Sequence, residues 1–125
     1  MLTLPPVVRV YVSLDPIDMR QSFDGLAAAV QGRMRLDPLS GHLFVFLNRS
    51  RSLMKVLFWD RSGLAILYKR LEVGTFQLPR APEGSAAAEI GPAELALILE
   101  GIDLDSVKRR ARYQRPTASP AEKPI

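Results

Sequence analysis

Residues 43–71 read LFVFLNRSRSLMKVLFWDRSGLAILYKRL, three apolar runs separated by two short polar connections. Leu43 to Leu47 is apolar at every position, the pattern of a strand buried on both faces, so a central strand is expected there. Leu53 to Trp59 and Leu64 to Leu71 follow as further strands, because the links Asn48 to Ser52 and Asp60 to Gly63 have hairpin length. The second turn sets a register in which Trp59 faces Leu64, Lys55 faces Tyr68 and Leu53 faces Arg70. Those six residues share one face of the sheet. Met54, Val56 and Phe58, opposite Lys69, Leu67 and Ala65, make the other and more apolar face, which is expected to pack on a helix.

That helix lies upstream. Val7 to Leu14 is rich in β-branched and aromatic residues and stops at Asp15-Pro16, as a first strand would. Met19, Phe23, Leu26, Ala27, Val30 and Met34 then recur along one helical stripe. Asp15 suits the cap of a long amphipathic helix, Pro16 its first position and Asp18 its first turn. Gly25 and Gly32 weaken the pattern slightly. Asp37 to Gly41 is a turn cluster leading into the central strand.

Downstream, Thr75 to Leu78 is read as a short edge strand, and Pro79 to Ser85 as a loop. Pro92 at a helix start, Leu95, Ile98 and Leu99 on one face and Gly101 past the end describe a short second helix. The elements together specify one α+β domain over residues 1–107: a mainly antiparallel sheet with a long helix on one face and a short C-terminal helix. The first strand's place in that sheet is left open. Residues 108–125, rich in Lys, Arg and Pro, read as a basic, disordered tail.

Composition narrows the function classes. The 125 residues are 47% apolar, enough for one core, and contain no cysteine, which excludes disulfides, thiolate metal sites and cysteine nucleophiles. The start lacks a basic, apolar leader, and no apolar run reaches the ~18 to 20 residues of a membrane span, so a cytoplasmic location is expected. The net charge of +4 is unevenly placed: residues 41–80 hold seven cations against two anions, and residues 81–107 hold six anions and no cation.

The register gathers Lys55, Tyr68, Lys69 and Arg70 toward the sheet end that also carries Arg49 and Arg51. A basic end with aromatic neighbours suits phosphate contact, with Trp59 or Tyr68 stacking or packing nearby. The alternative is a solvated face whose lysines guard against edge pairing. Asp15, Asp18, Asp24, Asp37, Asp60 and Glu72 were the carboxylates available for a two-metal site, but caps, turns and a pair with Lys69-Arg70 account for most of them. His42 is the single histidine, and no phosphate-cradling glycine loop is present. No catalytic residue, metal or cofactor is therefore assigned.

Several strings resemble a known family: Asp18-Met19-Arg20-Gln21-Ser22-Phe23-Asp24-Gly25-Leu26, Asp37 to Phe46, Asn48-Arg49-Ser50-Arg51, Leu57-Phe58-Trp59-Asp60, Tyr68-Lys69-Arg70-Leu71-Glu72 and Leu99 to Asp103. They are similar to the TnpB-type accessory protein of the bacterial insertion sequence sixty-six group. The resemblance implies a protein encoded beside a separate transposase and needed for efficient movement of the element. On that basis the expected function is a non-enzymatic assembly factor that binds element-end DNA, or transposase on DNA, through Arg49, Arg51, Lys55, Lys69 and Arg70 with Trp59 or Tyr68. A second reading is a protein adaptor touching the transposase through Asp18, Arg20, Glu94 and Glu100. A third is a metal-dependent nuclease resting on Asp60 or Glu72.

Overall fold

A computed structural model of the protein describes residues 8–100. Five strands, β1 (Val10–Ser13), β2 (Leu43–Leu47), β3 (Leu53–Asp60), β4 (Gly63–Arg70) and β5 (Ala87–Ile90), form one mixed sheet in the order β4-β3-β2-β1-β5. β1 runs parallel to β2 and every other neighbouring pair is antiparallel. All five residues of β2 are buried, as its unbroken apolar run requires of a central strand. The β3–β4 register follows from the two-residue turn at Arg61-Ser62: Asp60 pairs with Gly63, and Leu53 with Arg70.

The sheet has a helix on each face. α1 (Phe23–Ala29) continues into a π-helical turn, Val30–Met34, that ends at Arg35 in the left-handed region (φ 58°). Leu26 and Val30 pack with Phe44, Phe46 and Leu57, and Tyr11, Leu64 and Ile66 border them. Tyr11 stacks on Phe44 at 5.7 Å between ring centroids. On the other face, Leu95 and Ile98 of α2 (Pro92–Leu99) pack with Val10, Val12, Val45, Met54 and Val56. α2 begins as its sequence indicates: Pro92 occupies the first turn, the Gly91 N–H donates to Glu94 Oε1, and Leu95 N–H donates to Gly91 O.

Three expectations are corrected. The long helix from Asp15 is not formed; the helical segment starts at Phe23. Ile17 N–H instead donates to Leu47 O on the sheet, the Asp18 carboxylate accepts Arg20 N–H, and Gln21 N–H donates to Asp18 O, so residues 15–21 make a connection with tight turns. The upstream helix also packs on the opposite face from the one expected. It covers Leu57 and Ile66, while Met54 and Val56 meet α2 and the buried Phe76. Finally, Thr75 to Leu78 is not a strand. That segment packs under the sheet through Phe76, and the added strand is β5, an alanine-rich stretch to which the sequence reading assigned no element. Gly101 and the tail from residue 108 lie outside the described residues.

Candidate functional site

The parallel β1–β2 pair brings the connection after β1 and the turn after β2 to the same sheet end. In sheets with parallel strands, the carboxyl ends are the usual ligand-binding side. Here a cleft of about 260 Å³ opens between Ser13, Asp15 and Pro16 on one wall and Asn48, Arg49 and Arg51 on the other. It adjoins a shallower recess of about 600 Å³ that adds Asp18, Met19 and Ser50.

Asn48 builds the turn. Its Oδ1 accepts from the N–H groups of Ser52 (3.0 Å) and Leu53 (2.9 Å), and its Nδ2 donates to Ser50 Oγ and Ser52 Oγ. The Ser50 and Ser52 hydroxyls also pair with each other. Arg51 N–H closes the turn on Asn48 O, and Arg51 sits at φ 58° while its carbonyl oxygen accepts the Phe76 N–H at 2.7 Å. A core residue therefore braces the turn from below. The Arg49 and Arg51 side chains are exposed, and among the described residues neither guanidinium has a hydrogen-bond or ion-pair partner. Two unneutralised cations on a hydrogen-bonded turn are a ready anion contact.

The remaining cations of the expected set are engaged. Lys55 is 7% exposed, and its ammonium donates at 2.7 Å to the carbonyl oxygens of both Met19 and Gln21 while lying 4.8 Å from the Tyr68 ring centroid. Burial removes it from the accessible surface. Lys69 points to the opposite face and donates to Leu99 O at 2.7 Å, a cation on the C-terminal carbonyls of α2. Arg70 remains exposed at the turn's end of the sheet but is paired with Glu72 through Nε at 2.9 Å. Tyr68 is half-exposed over Lys55. Trp59 lies at the far end of β3, about 20 Å of strand from Leu53. The expected basic end thus contracts to Arg49 and Arg51, with Arg70 and Tyr68 beside it.

The proposed adaptor residues fall in two places. Asp18 and Arg20 form an exposed fork, with Arg20 Nη2 2.6 Å from Asp18 Oδ2, on the recess that Arg49 shares. The Arg20 guanidinium beside Asp18 lowers that carboxyl to about 2 and is itself raised. Asp18 therefore stays ionised but carries its counter-charge with it, leaving the neighbouring arginine unneutralised. Glu94 and Glu100 are on or just after α2, on the other side of the sheet; Glu94 holds the helix start, so the four do not form one surface.

The residue that the sequence reading passed over is Asn48, treated there only as part of a link. An asparagine opening a Ser-rich five-residue connection was the available signal, since its side chain commonly bonds the backbone two or more residues on. His42 is structural: its Nδ1 accepts the Arg9 N–H at 3.0 Å and its ring meets Tyr11 edge-on. Among the described residues no three His, Asp or Glu side chains converge as metal ligands, and no helix is long and apolar enough to cross a membrane.

The family model described as "IS66 Orf2 like protein" matches residues 8–109. Two proteins of Sinorhizobium fredii (strain NBRC 101917 / NGR234) are similar to the chain. The uncharacterized protein y4hO is 48% identical over 96 residues, covering 77% of this chain and 82% of its own. The uncharacterized protein y4jC is 34% identical over 110 residues, covering 88% and 92%. No solved structure matches significantly.

Proposed function

We propose, from the premise that this chain belongs to the IS66 Orf2-like family of transposition accessory proteins, that it acts without catalysis by contacting phosphates of the element's DNA. One observation supports this mode: among the described residues Arg49 and Arg51 stand unpaired, on a turn held by Asn48 and braced through Phe76. Phosphate contacts of this kind position a protein on DNA without reading its sequence. Arg70 and Tyr68 flank the contact, while Lys55 and Lys69 hold the fold in place.

The test is a fluorescence-anisotropy titration of labelled element-end DNA with the wild type and with R49E/R51E. Binding at low salt that the double reversal abolishes is the expected result. No wild-type binding at low salt would sink the direct-contact reading.

A second reading, an adaptor for the transposase of the same element, is favoured by the exposed Asp18–Arg20 fork on the recess beside Arg49. It is tested by co-purifying the two proteins with and without nuclease treatment. Capture that survives the nuclease and is lost in D18A/R20A supports it; capture lost with the nuclease leaves DNA as the bridge.

A further inference from the structure

β4 is an edge strand of eight residues, and among the described residues no strand pairs with its outer side. Natural sheets blunt such edges with shortness, proline, bulges, cover or charged side chains, and β4 carries its charges, Lys69 and Arg70, only at its last two residues. β5, at the other edge, is only four residues long. β4 has no proline and pairs with β3 without a bulge along its whole length. Two of the large exposed apolar side chains, Leu67 at 42% and Tyr68 at 52%, are on it.

The direction of its free backbone groups follows from the register. Leu71 N–H donates to Ser52 O, continuing the ladder in which odd-numbered residues of this strand bond β3. Leu64, Ile66, Tyr68 and Arg70 therefore turn their N–H and C=O groups outward.

We propose that β4 is a self-association edge, pairing antiparallel with β4 of a second copy about a two-fold axis through Ile66. A two-fold axis normal to the sheet places residues of like face opposite one another. Centred on Ile66, it pairs Ile66 with itself and Leu64 with Tyr68 of the second copy, in about six main-chain hydrogen bonds. The same register sets Lys69 against Gly63 and Arg70 against Ser62, so no like charges oppose each other between residues 62 and 70. Past the strand ends the same count brings Glu72 toward Asp60 and Leu71 toward Arg61, outside the paired segment. Sliding one step toward the turn opposes Lys69 to Arg61, and sliding one step away sets both cations against Leu64 and Ala65. The edge is complementary to itself in one register, which is the argument for a second copy as its occupant.

The test uses the full chain and two variants. Light scattering after size exclusion should give twice the 13.9 kDa chain mass for the wild type. Ile66→Pro should give a folded monomer, because the removed N–H points away from β3. Ile66→Cys supplies the single thiol of a chain that has none, and should run as a disulfide-linked dimer after mild oxidation, whereas Val73→Cys should not. Cross-linking of Ile66→Cys decides the matter even if Ile66→Pro fails to fold. A wild type that stays monomeric at high concentration overturns the proposal, leaving the edge to another segment or another protein. A dimer that Ile66→Pro leaves intact, or in which Cys at position 66 never cross-links, overturns it equally.

Discussion

The ammonium of Lys55 donates a 2.7 Å hydrogen bond to the carbonyl oxygen of Gln21, and with it ties the central hairpin to the connection that precedes α1. Its second bond, to Met19 O, fastens the same connection two residues earlier. Replacing Lys55 with Met would leave both carbonyls without this partner. We expect a loss of about 1.5–3 kcal/mol, read as a lower denaturation midpoint. DNA affinity measured on the folded fraction should change little, because the buried ammonium is not a phosphate contact.

Asn48 should behave differently. Asn48→Ala keeps every charge but removes the side-chain bonds that shape the Arg49–Arg51 turn. The expected cost is about 1–3 kcal/mol of stability together with weaker DNA binding. Asn48→Asp retains the two backbone-accepting bonds and should recover part of the stability. An Asn48→Ala protein with unchanged affinity would show that the shape of the turn is irrelevant to binding.

The Asp18–Arg20 pair sets a pH signature. The folded-state value of Asp18 is depressed to about 2, below that of the unfolded chain. Its stabilising contribution is therefore present above the ordinary carboxylate range and is lost as pH falls through about 2. Being fully exposed, the pair contributes little to global stability, so the measurement is a carboxyl NMR titration of Asp18. Arg20→Ala should raise the midpoint toward the ordinary carboxylate range without fully reaching it, because the N–H of residue 20 still donates to Asp18 Oδ1; an unchanged low midpoint would assign the depression to something else.

Gly32 lies exposed in the π-helical turn with nothing within 4 Å of an added Cβ, and its φ is not positive. Gly32→Ala should raise stability by about 0.4–1 kcal/mol by narrowing the unfolded ensemble. A drop in the thermal midpoint would mean that the wide turn needs glycine.

Much of the sheet was readable in advance because local chemistry dictates it. The Asp60–Gly63 turn sets the β3–β4 register, and the apolar run Leu43–Leu47 marks the centre. What could not be read depends on long-range partners. Both faces of β3 are largely apolar, so Met54 and Val56 against Lys55 and Leu57 do not declare which helix each side meets. Asp15-Pro16 has the chemistry of a helix start, yet the Ile17 N–H bonds Leu47 across the sheet and defers the helix to Phe23. β5 is Ala-Ala-Glu-Ile, weak in intrinsic strand preference and formed because β1 offers an edge.

The site followed the same division. The exposure of Arg49 and Arg51 was legible from a polar, basic link between two strands. Lys55 and Lys69 read as the same patch because sequence reports charge and register but not the carbonyls of Met19, Gln21 and Leu99 that hold them.

The most direct measurement of the phosphate-contact claim is the salt dependence of element-end DNA binding, wild type against R49A/R51A. Each phosphate contact contributes about 0.9 to the slope of log affinity against log salt. We expect the double substitution to weaken binding and to flatten that slope by about 2, whatever the DNA sequence. A slope unchanged by removal of both arginines would contradict the assignment of the turn as the phosphate contact.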